Sequence, residues 1–83
     1  MLQSDSEIEN KIKNIFLQVF PNLNENDFSF EKEQKDYENW DSFAQLNLIT
    51  FAEAEFNISF SLDESIEIKS ARQFVNNIKS HLK

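Results

Sequence analysis

The residues best suited to chemistry in this sequence are those of the segment Trp40-Asp41-Ser42-Phe43. The apolar pattern that follows predicts a helix with Ser42 at its first position, where the hydroxyl lies near the positive end of the helix dipole. A phosphate attached there is stabilised by the free N–H groups of the first turn. Capping alone is the alternative interpretation, because Asp-Ser is common at helix starts and Asp5-Ser6 occurs in the same chain.

The other residue types used in catalysis form no complete set. His81 is the single histidine, and we expect it to be an exposed cation in the last turn of the last helix. Glu53 and Glu55 are expected to be solvated surface acids. Without Cys or Gly, the chain has no thiolate nucleophile, no Cys-ligated zinc and no glycine-rich phosphate loop. The sequence therefore predicts no catalytic residues, no metal site and no enzyme, and a small hydrolase that depends on His81 is the catalytic alternative.

Three stretches of the chain have apolar residues at helical spacing. The first begins near Ser4, which has capping-box spacing to Glu7, and it cannot easily continue past Pro21. The second runs from Asp41 to Phe56 and is apolar over more than half its circumference, so we expect it to be central and to pack against several neighbours. The predicted apolar stripes are Ile8, Ile12, Ile15, Phe16 and Val19; Leu48, Ala52 and Phe56, widened by Leu46, Ile49 and Phe51; and Ala71, Phe74, Val75, Ile78 and Leu82.

The segments between these stretches complete the predicted fold. Residues 21–41 are polar, with apolar interruptions that predict a loop pinned to the core: Leu23, Phe28, Phe30, Tyr37 and Trp40. Asn57 is expected to end the second helix, and residues 58–60 to form an extended connector. The sequence predicts an all-α fold, a four-helix bundle with three longer helices, one short helix and a long loop between helices 1 and 2.

Two further capping boxes locate the short helix and the last helix. Ser61 and Glu64 have the required spacing and open a short helical segment that includes Ile66. Ser70 and Gln73 repeat this spacing before the last helix. Each box places a serine where it can satisfy a backbone donor of the first turn.

Charge is distributed unevenly along the chain. All fifteen acidic residues lie between Asp5 and Glu67, whereas four of the eight basic residues follow position 68, so residues 1–68 carry a net charge of −11 and the remainder +4. A protein that binds a nucleic-acid backbone needs clustered positive charge, so we expect no nucleic-acid partner. A basic protein surface suits this chain better, although an acidic surface that only confers solubility is the alternative.

The length and the ends of the chain favour a small cytoplasmic protein. The 83 residues fit one domain, residues 1–83. No apolar run approaches the length of a membrane span, and the N-terminus has no basic or apolar targeting segment. The lack of Cys is natural in a reducing compartment.

The sequence resembles the acyl carrier protein family over nearly its whole length. The family's attachment motif is Asp-Ser-Leu, which here reads Asp41-Ser42-Phe43. In the family, the motif is followed by an apolar helix that ends in Glu-rich sequence and Phe, and then by a Gly-Ile-x-Ile-like connector. The matching residues stand in unbroken register: Leu48, Glu53, Phe56, Asn57 in place of Gly, Ile58, Phe60 in place of Ile, and then the Phe74-Val75 helix. The combination of these motifs with the order of the helices carries the resemblance.

The resemblance implies a specific modification and a specific cargo. A phosphopantetheinyl transferase would move the 4′-phosphopantetheine of coenzyme A onto Ser42, with Asp41 as the flanking motif residue. The thiol of the arm would carry acyl groups as thioesters in a fatty-acid, polyketide or other specialised pathway. The implied partners are this transferase and acyl-loading and acyl-transferring enzymes with basic docking surfaces, and the implied oligomeric state is a monomer. Trp40 and Asn47 differ from the usual residues of housekeeping fatty-acid carriers, which favours a dedicated pathway.

The resemblance also implies that the helix after Ser42 is the docking element. The residues implied on its partner face are Phe43, Leu46, Asn47, Thr50 and Glu53. For Leu46, packing in the core is an equal alternative. Ile66 and Ile68 would border the space where an attached chain shelters, and core packing is the equal alternative for them too. Two other functions stay open: an aminoacyl or peptidyl carrier, and an unmodified acidic helical module that binds a basic partner.

Overall fold

The computed structural model describes residues 4–82 and is all-helical, with no β-strand in this range. Its four α-helices are α1 (Asp5–Val19), α2 (Ser42–Phe56), α3 (Leu62–Glu67) and α4 (Ala71–His81). The predicted fold class is confirmed, with three longer helices, one short helix and a long loop between the first two.

Local capping fixes where these helices begin and end. At α1, the Glu7 backbone N–H donates to the Ser4 hydroxyl at 3.2 Å, and the Glu7 carboxylate accepts from the Ser4 N–H at 3.4 Å. The Gln73 N–H donates to the Ser70 hydroxyl at 3.1 Å at the start of α4. The helix starts that the serine spacing predicts are therefore confirmed.

The core forms around α1, which packs against both α2 and α4, while α2 packs against α1 and α3. Phe16 of α1 is completely buried. Its ring centroid lies 5.4 Å from that of Trp40 and 5.8 Å from that of Phe74, and three further rings lie within 6.1 Å: Phe20, Phe28 and Tyr37. Aromatic packing at these distances stabilises a core beyond the effect of burial.

The buried side of α2 is narrower than the sequence predicts. Ile49 is buried as expected, but Leu46 and Phe51 are exposed. The prediction that both widen the buried arc is wrong, because the neighbouring helices leave Leu46 60% exposed and Phe51, which lies beside α1, 44% exposed. The helix in contact with both other long helices is α1.

The loop between α1 and α2 is pinned by its apolar residues, as predicted. Trp40 is buried, and four other apolar residues of the loop are partly buried against the core: Leu23, Phe28, Phe30 and Tyr37. Two short 3₁₀ turns, Glu25–Asp27 and Gln34–Asp36, give the loop local structure. Burial raises the pKa of Tyr37 to about 12, because the phenolate form is poorly solvated there.

Contacts to α4 and to the residues just before it also hold this loop, and no sequence pattern predicts them. The Arg72 backbone N–H donates to the Phe30 carbonyl at 2.9 Å, and the Arg72 guanidinium lies over the Phe30 ring. The same guanidinium pairs with Glu9 at 2.8 Å and with Glu31 at 3.3 Å. The Gln34 N–H donates to the Lys69 carbonyl at 2.7 Å. The long loop is thus fixed at both its middle and its end.

Replacing Phe16 with Leu should lower the free energy of unfolding by about 1 to 3 kcal/mol, because the ring loses its aromatic neighbours and leaves unfilled space. Urea titration followed by far-UV circular dichroism measures this change. Phe51→Leu is the matched control, since Phe51 is exposed on α2. An equal loss in both variants would contradict the central position of Phe16.

Candidate functional site

Ser42 is the first residue of α2, as the sequence predicts. Asp41 is the N-cap, and its Oδ1 accepts a hydrogen bond from the Ala44 N–H at 2.9 Å. The Ser42 side chain is exposed, and within residues 4–82 its hydroxyl makes no hydrogen bond. The cap therefore uses the Asp41 carboxylate and leaves the neighbouring hydroxyl available to solvent.

Trp40 fixes the chain on the N-terminal side of this serine. Its side chain is buried in the core and its indole Nε1–H donates to Gln45 Oε1 at 2.6 Å. Its backbone carbonyl accepts from Gln34 Nε2 at 3.0 Å. The roles of Gln34 and Gln45 could not be predicted from the sequence, because a single glutamine belongs to no motif of recognisable spacing.

The exposed side of α2 holds four of the residues named for a partner face. Phe43 and Leu46 are 80% and 60% exposed, and Asn47 and Thr50 are exposed with them. Core packing of Leu46 is therefore excluded. An exposed pair of large apolar side chains one turn apart is unusual on a small protein and is typical of a contact surface.

Glu53 differs from these four, because its carboxylate is partly used within the fold. Its Oε2 accepts a hydrogen bond from the Phe60 N–H at 2.8 Å, which fixes the connector between α2 and α3. The connector begins at Asn57, where φ is 55° and ψ is 49°. Asn tolerates this left-handed conformation better than most residues, so Asn57 ends α2 as predicted. The connector forms no strand.

Two side chains of α2 hold α3 alongside it. Gln45, near the start of α2, donates from Nε2 to the carbonyl oxygens of Ser65 and Ile68 at the C-terminal end of α3. Glu53, near the end of α2, bonds the connector that leads into α3. The two helices therefore run in opposite directions, and the C-terminal end of α3 lies beside the first turns of α2.

The two isoleucines of the α3 region have different environments. Ile68 is only 1% exposed and belongs to the core, whereas Ile66 is 63% exposed. Core packing is therefore correct for Ile68 and excluded for Ile66. Leu62, which the sequence did not single out, is also exposed on α3. We call the exposed apolar residues Phe43, Leu46, Leu62 and Ile66, with the acidic Asp63 and Glu67, the α2–α3 face.

His81 is exposed in the last turn of α4, as the sequence predicts, and it also contacts α3. Its Nε2 lies 2.9 Å from Glu64 Oε2, and its ring packs edge-on against Phe60. Glu64 also accepts a hydrogen bond from the Ser61 N–H at 2.8 Å in the capping box of α3. This backbone hydrogen bond, with a smaller contribution from His81, lowers the pKa of Glu64.

The segment that contains this face carries only negative charge. Residues 42–67 contain five acidic residues and no Lys or Arg. The cations of α4 point elsewhere: Arg72 pairs with Glu9 and Glu31, and Lys79 pairs with Asp5. Within residues 4–82, Asp63 and Glu67 have no ion-pair partner. The α2–α3 face is therefore apolar, with acids that are not neutralised by the described cations.

Three open depressions lie elsewhere on the surface, with volumes of 410, 310 and 460 Å³. The first follows the loop beside Tyr37, the second lies between α1 and α2 at Phe51, and the third borders Trp40 and Lys69. None of the three is lined by Ser42 or Ile66. Across residues 4–82, no three His, Asp or Glu side chains are close enough together to hold a metal ion. Every helix in that range is too short or too polar to cross a membrane.

Comparison with protein-family models, with curated proteins and with solved structures found no match to this chain. The indications of its function therefore come from its own residues. They are the exposed Ser42 hydroxyl, the capped start of α2 and the neighbouring exposed apolar residues.

Replacing Glu64 with Gln should lower the free energy of unfolding at neutral pH, because the Ser61 N–H and His81 lose a charged partner. The pKa of Glu64 is lowered from its usual 4.5 in the folded protein. Its carboxylate therefore adds stability above pH 4.5, and this contribution is lost as the pH falls through the lowered value. The deficit of Glu64→Gln should shrink in the same range.

Urea titrations of both proteins at several pH values measure this deficit. Glu67→Gln is the matched control, since it removes a carboxylate of the same helix that makes no hydrogen bond within residues 4–82. A deficit in Glu64→Gln that stays constant down to strongly acidic pH would contradict the assigned role of Glu64.

Proposed function

We propose that this protein is an acyl carrier protein, which carries acyl groups as thioesters on a 4′-phosphopantetheine arm attached to Ser42. The observation that carries the proposal is the Ser42 side chain, exposed and free of hydrogen bonds within residues 4–82, at the first position of a capped fifteen-residue helix. Exposed Phe43 and Leu46 lie directly beside it. This arrangement presents one hydroxyl to an incoming enzyme next to an apolar contact surface.

The modification is a group transfer that uses coenzyme A. The Ser42 oxygen attacks the phosphorus next to the pantetheine group, and a phosphodiester forms as the pyrophosphate bond breaks. The leaving group is 3′,5′-adenosine diphosphate, and the serine proton passes to a base of the phosphopantetheinyl transferase. The carrier thus supplies the acceptor oxygen, while the catalytic groups belong to the partner.

The residues around Ser42 suit a phosphodiester. The backbone N–H groups of Ser42 and Phe43 form no hydrogen bond within residues 4–82, as expected at a helix start. They and the helix dipole stabilise negative charge on the attached phosphate. The Asp41 carboxylate accepts its capping hydrogen bond from the Ala44 N–H and makes none with the Ser42 hydroxyl, so it does not compete for that hydroxyl. The arm itself brings the thiol that this Cys-free chain lacks.

The docking surface in this proposal combines the α2–α3 face with three further residues of α2. Phe43 and Leu46 contribute apolar area, Asn47 and Thr50 contribute polar contacts, and Glu53 contributes the oxygen that Phe60 does not use. Basic surfaces on the transferase and on acyl-loading and acyl-transferring enzymes complement its acids. The carrier acts as a cytoplasmic monomer in a fatty-acid, polyketide or other specialised pathway, and the lack of the usual Glu at Asn47 favours a dedicated one. An aminoacyl or peptidyl cargo is the alternative for the same serine.

A second candidate function is an unmodified acidic module that binds a basic partner. The observation that favours it is the exposure of four large apolar side chains on α2 and α3, together with two acids of α3 that have no ion-pair partner within residues 4–82. In this case Ser42 is not modified and is simply the first residue of α2. The two candidates differ in whether Ser42 acquires mass.

Incubation with coenzyme A, Mg²⁺ and a promiscuous phosphopantetheinyl transferase should add one phosphopantetheine to the parent chain and none to Ser42→Ala. Intact-mass spectrometry measures the addition. Ser6→Ala is the matched control, because Ser6 also follows an Asp and is exposed in the first turn of a helix. We expect this variant to be modified like the parent.

Modification of Ser42→Ala would contradict the site, and a parent chain left unmodified by several transferases would contradict the carrier function. Circular dichroism confirms that each variant retains its helices. An unmodified parent that still binds a basic partner through the α2–α3 face would favour the second candidate.

Replacing Leu46 with Ala should raise the KM of the transferase for this protein roughly fivefold or more, because an exposed apolar contact is removed. The free energy of unfolding should change little, since Leu46 is largely exposed in the free protein. Steady-state kinetics with varied carrier concentration measure the KM. Phe51→Ala is the control on the α1 side of the same helix, and an equal rise in KM there would contradict a docking role specific to Leu46.

A further inference from the structure

The geometry points to Gln45 as a positioning residue that joins the turn carrying Ser42 to helix α3, so that the two move together. This inference rests on the proposed function for its effect on loading, but the joint itself is a property of the fold. One side-chain amide makes three hydrogen bonds, to Trp40, Ser65 and Ile68. An amide has one oxygen and two N–H groups, so this side chain uses all its donors and its acceptor.

The hydrogen bond between Trp40 and Gln45 joins the two ends of the short segment that contains Ser42. Trp40 Nε1 donates to Gln45 Oε1 at 2.6 Å, and the Gln45 backbone N–H donates to the Asp41 carbonyl at 2.9 Å. Ser42 lies within the segment that these two bonds span. Buried Trp40 precedes the serine and buried Ala44 follows it. The backbone position of Ser42 is therefore set by the Gln45 side chain as well as by the Asp41 cap.

The other end of the same amide holds α3. This six-residue helix has no buried residue of its own, so its attachments at either end keep it in place. At its N-terminal end, Glu64 contacts His81 of α4. At its C-terminal end, Gln45 Nε2 donates to the Ser65 carbonyl and, at 3.1 Å, to the Ile68 carbonyl. Carbonyls at a helix end lack partners within the helix, so Gln45 satisfies groups that would otherwise bond water.

The joint links contact with α3 to the geometry of Ser42. Ile66 is exposed, and it lies in sequence between Ser65 and Ile68, the two residues whose carbonyls Gln45 binds. A partner or cargo that binds Ile66 and displaces α3 moves the carbonyls that Gln45 binds. Through the Gln45 side chain, this movement reaches Trp40 and the turn that contains Ser42. By thermodynamic linkage, the coupling free energy between modification at Ser42 and binding at α3 is the same in both directions. Modification at Ser42 and contact at α3 then influence each other.

Two substitutions separate the joint from general stability. Gln45→Met preserves side-chain length and removes all three hydrogen bonds, while Gln45→Glu retains the acceptor for Trp40 and removes both donors to α3. Gln18→Glu is the matched control, since it makes the same chemical change at an exposed position of α1. Amide hydrogen exchange, the fluorescence of Trp40, which is the single tryptophan, and transferase kinetics are measured for each variant.

We expect amides of residues 62–68 to exchange roughly tenfold faster in both Gln45 variants, given the hydrogen bonds lost, while amides of α1 and α4 keep the parent rates. Trp40 emission should shift to longer wavelength in Gln45→Met and less in Gln45→Glu. The KM for loading should rise about threefold or more with kcat nearly unchanged, because the competent turn is less populated. Gln18→Glu should match the parent in every measurement.

Unchanged exchange in residues 62–68, or equal acceleration in α1 and α4, would overturn the joint. Loosened α3 with unchanged loading would overturn its effect on Ser42. If the parent chain is not loaded at all, the proposed function fails on its own, and exchange and Trp40 emission then decide whether Gln45 joins the two elements.

Discussion

The ring of Phe16 is surrounded by aromatic rings from its own helix, from the long loop and from α4, and the rest of the fold is arranged around it. In a chain of this size, with neither disulfide nor metal cluster in its described part, such rings provide a large share of the apolar surface that can be buried. Because Trp40 is one of the rings, the same contact that forms the core also fixes the residue two positions before Ser42. The contacts that stabilise the core therefore also determine the position of the candidate site.

Features governed by neighbouring residues could be predicted from the sequence. The serine caps of α1, α3 and α4 act over three residues, and the left-handed Asn57 acts at one position. The same holds for Asp41 and for Ser42 at the start of α2. Each is decided by hydrogen bonds within a single turn, so spacing was sufficient.

Features that depend on distant parts of the chain could not be predicted in this way. Apolar periodicity placed Leu46 and Phe51 in the buried arc, but burial requires a neighbouring element, and α1 and α3 leave Leu46 largely exposed and Phe51 only half covered. His81 lies seventeen residues from Glu64, and Gln45 lies twenty from Ser65. Single polar residues at such separations have no recurring pattern, although they determine how α3 is held. The residues of the partner face were predicted from the family resemblance. Only the packing of the helices shows that Phe43, Leu46, Asn47 and Thr50 are exposed.

The pairing of the α4 cations with α1 and with the long loop leaves the molecule electrically lopsided. Residues 42–67, which include α2 and α3, carry a net charge of −5, whereas the other 53 described residues together carry only −3. Such a protein has a permanent dipole moment, so a positively charged surface turns it during approach, before any atoms touch. Orientation is then partly selected in the diffusional encounter, which becomes faster and more specific at low ionic strength and loses both advantages as salt is added.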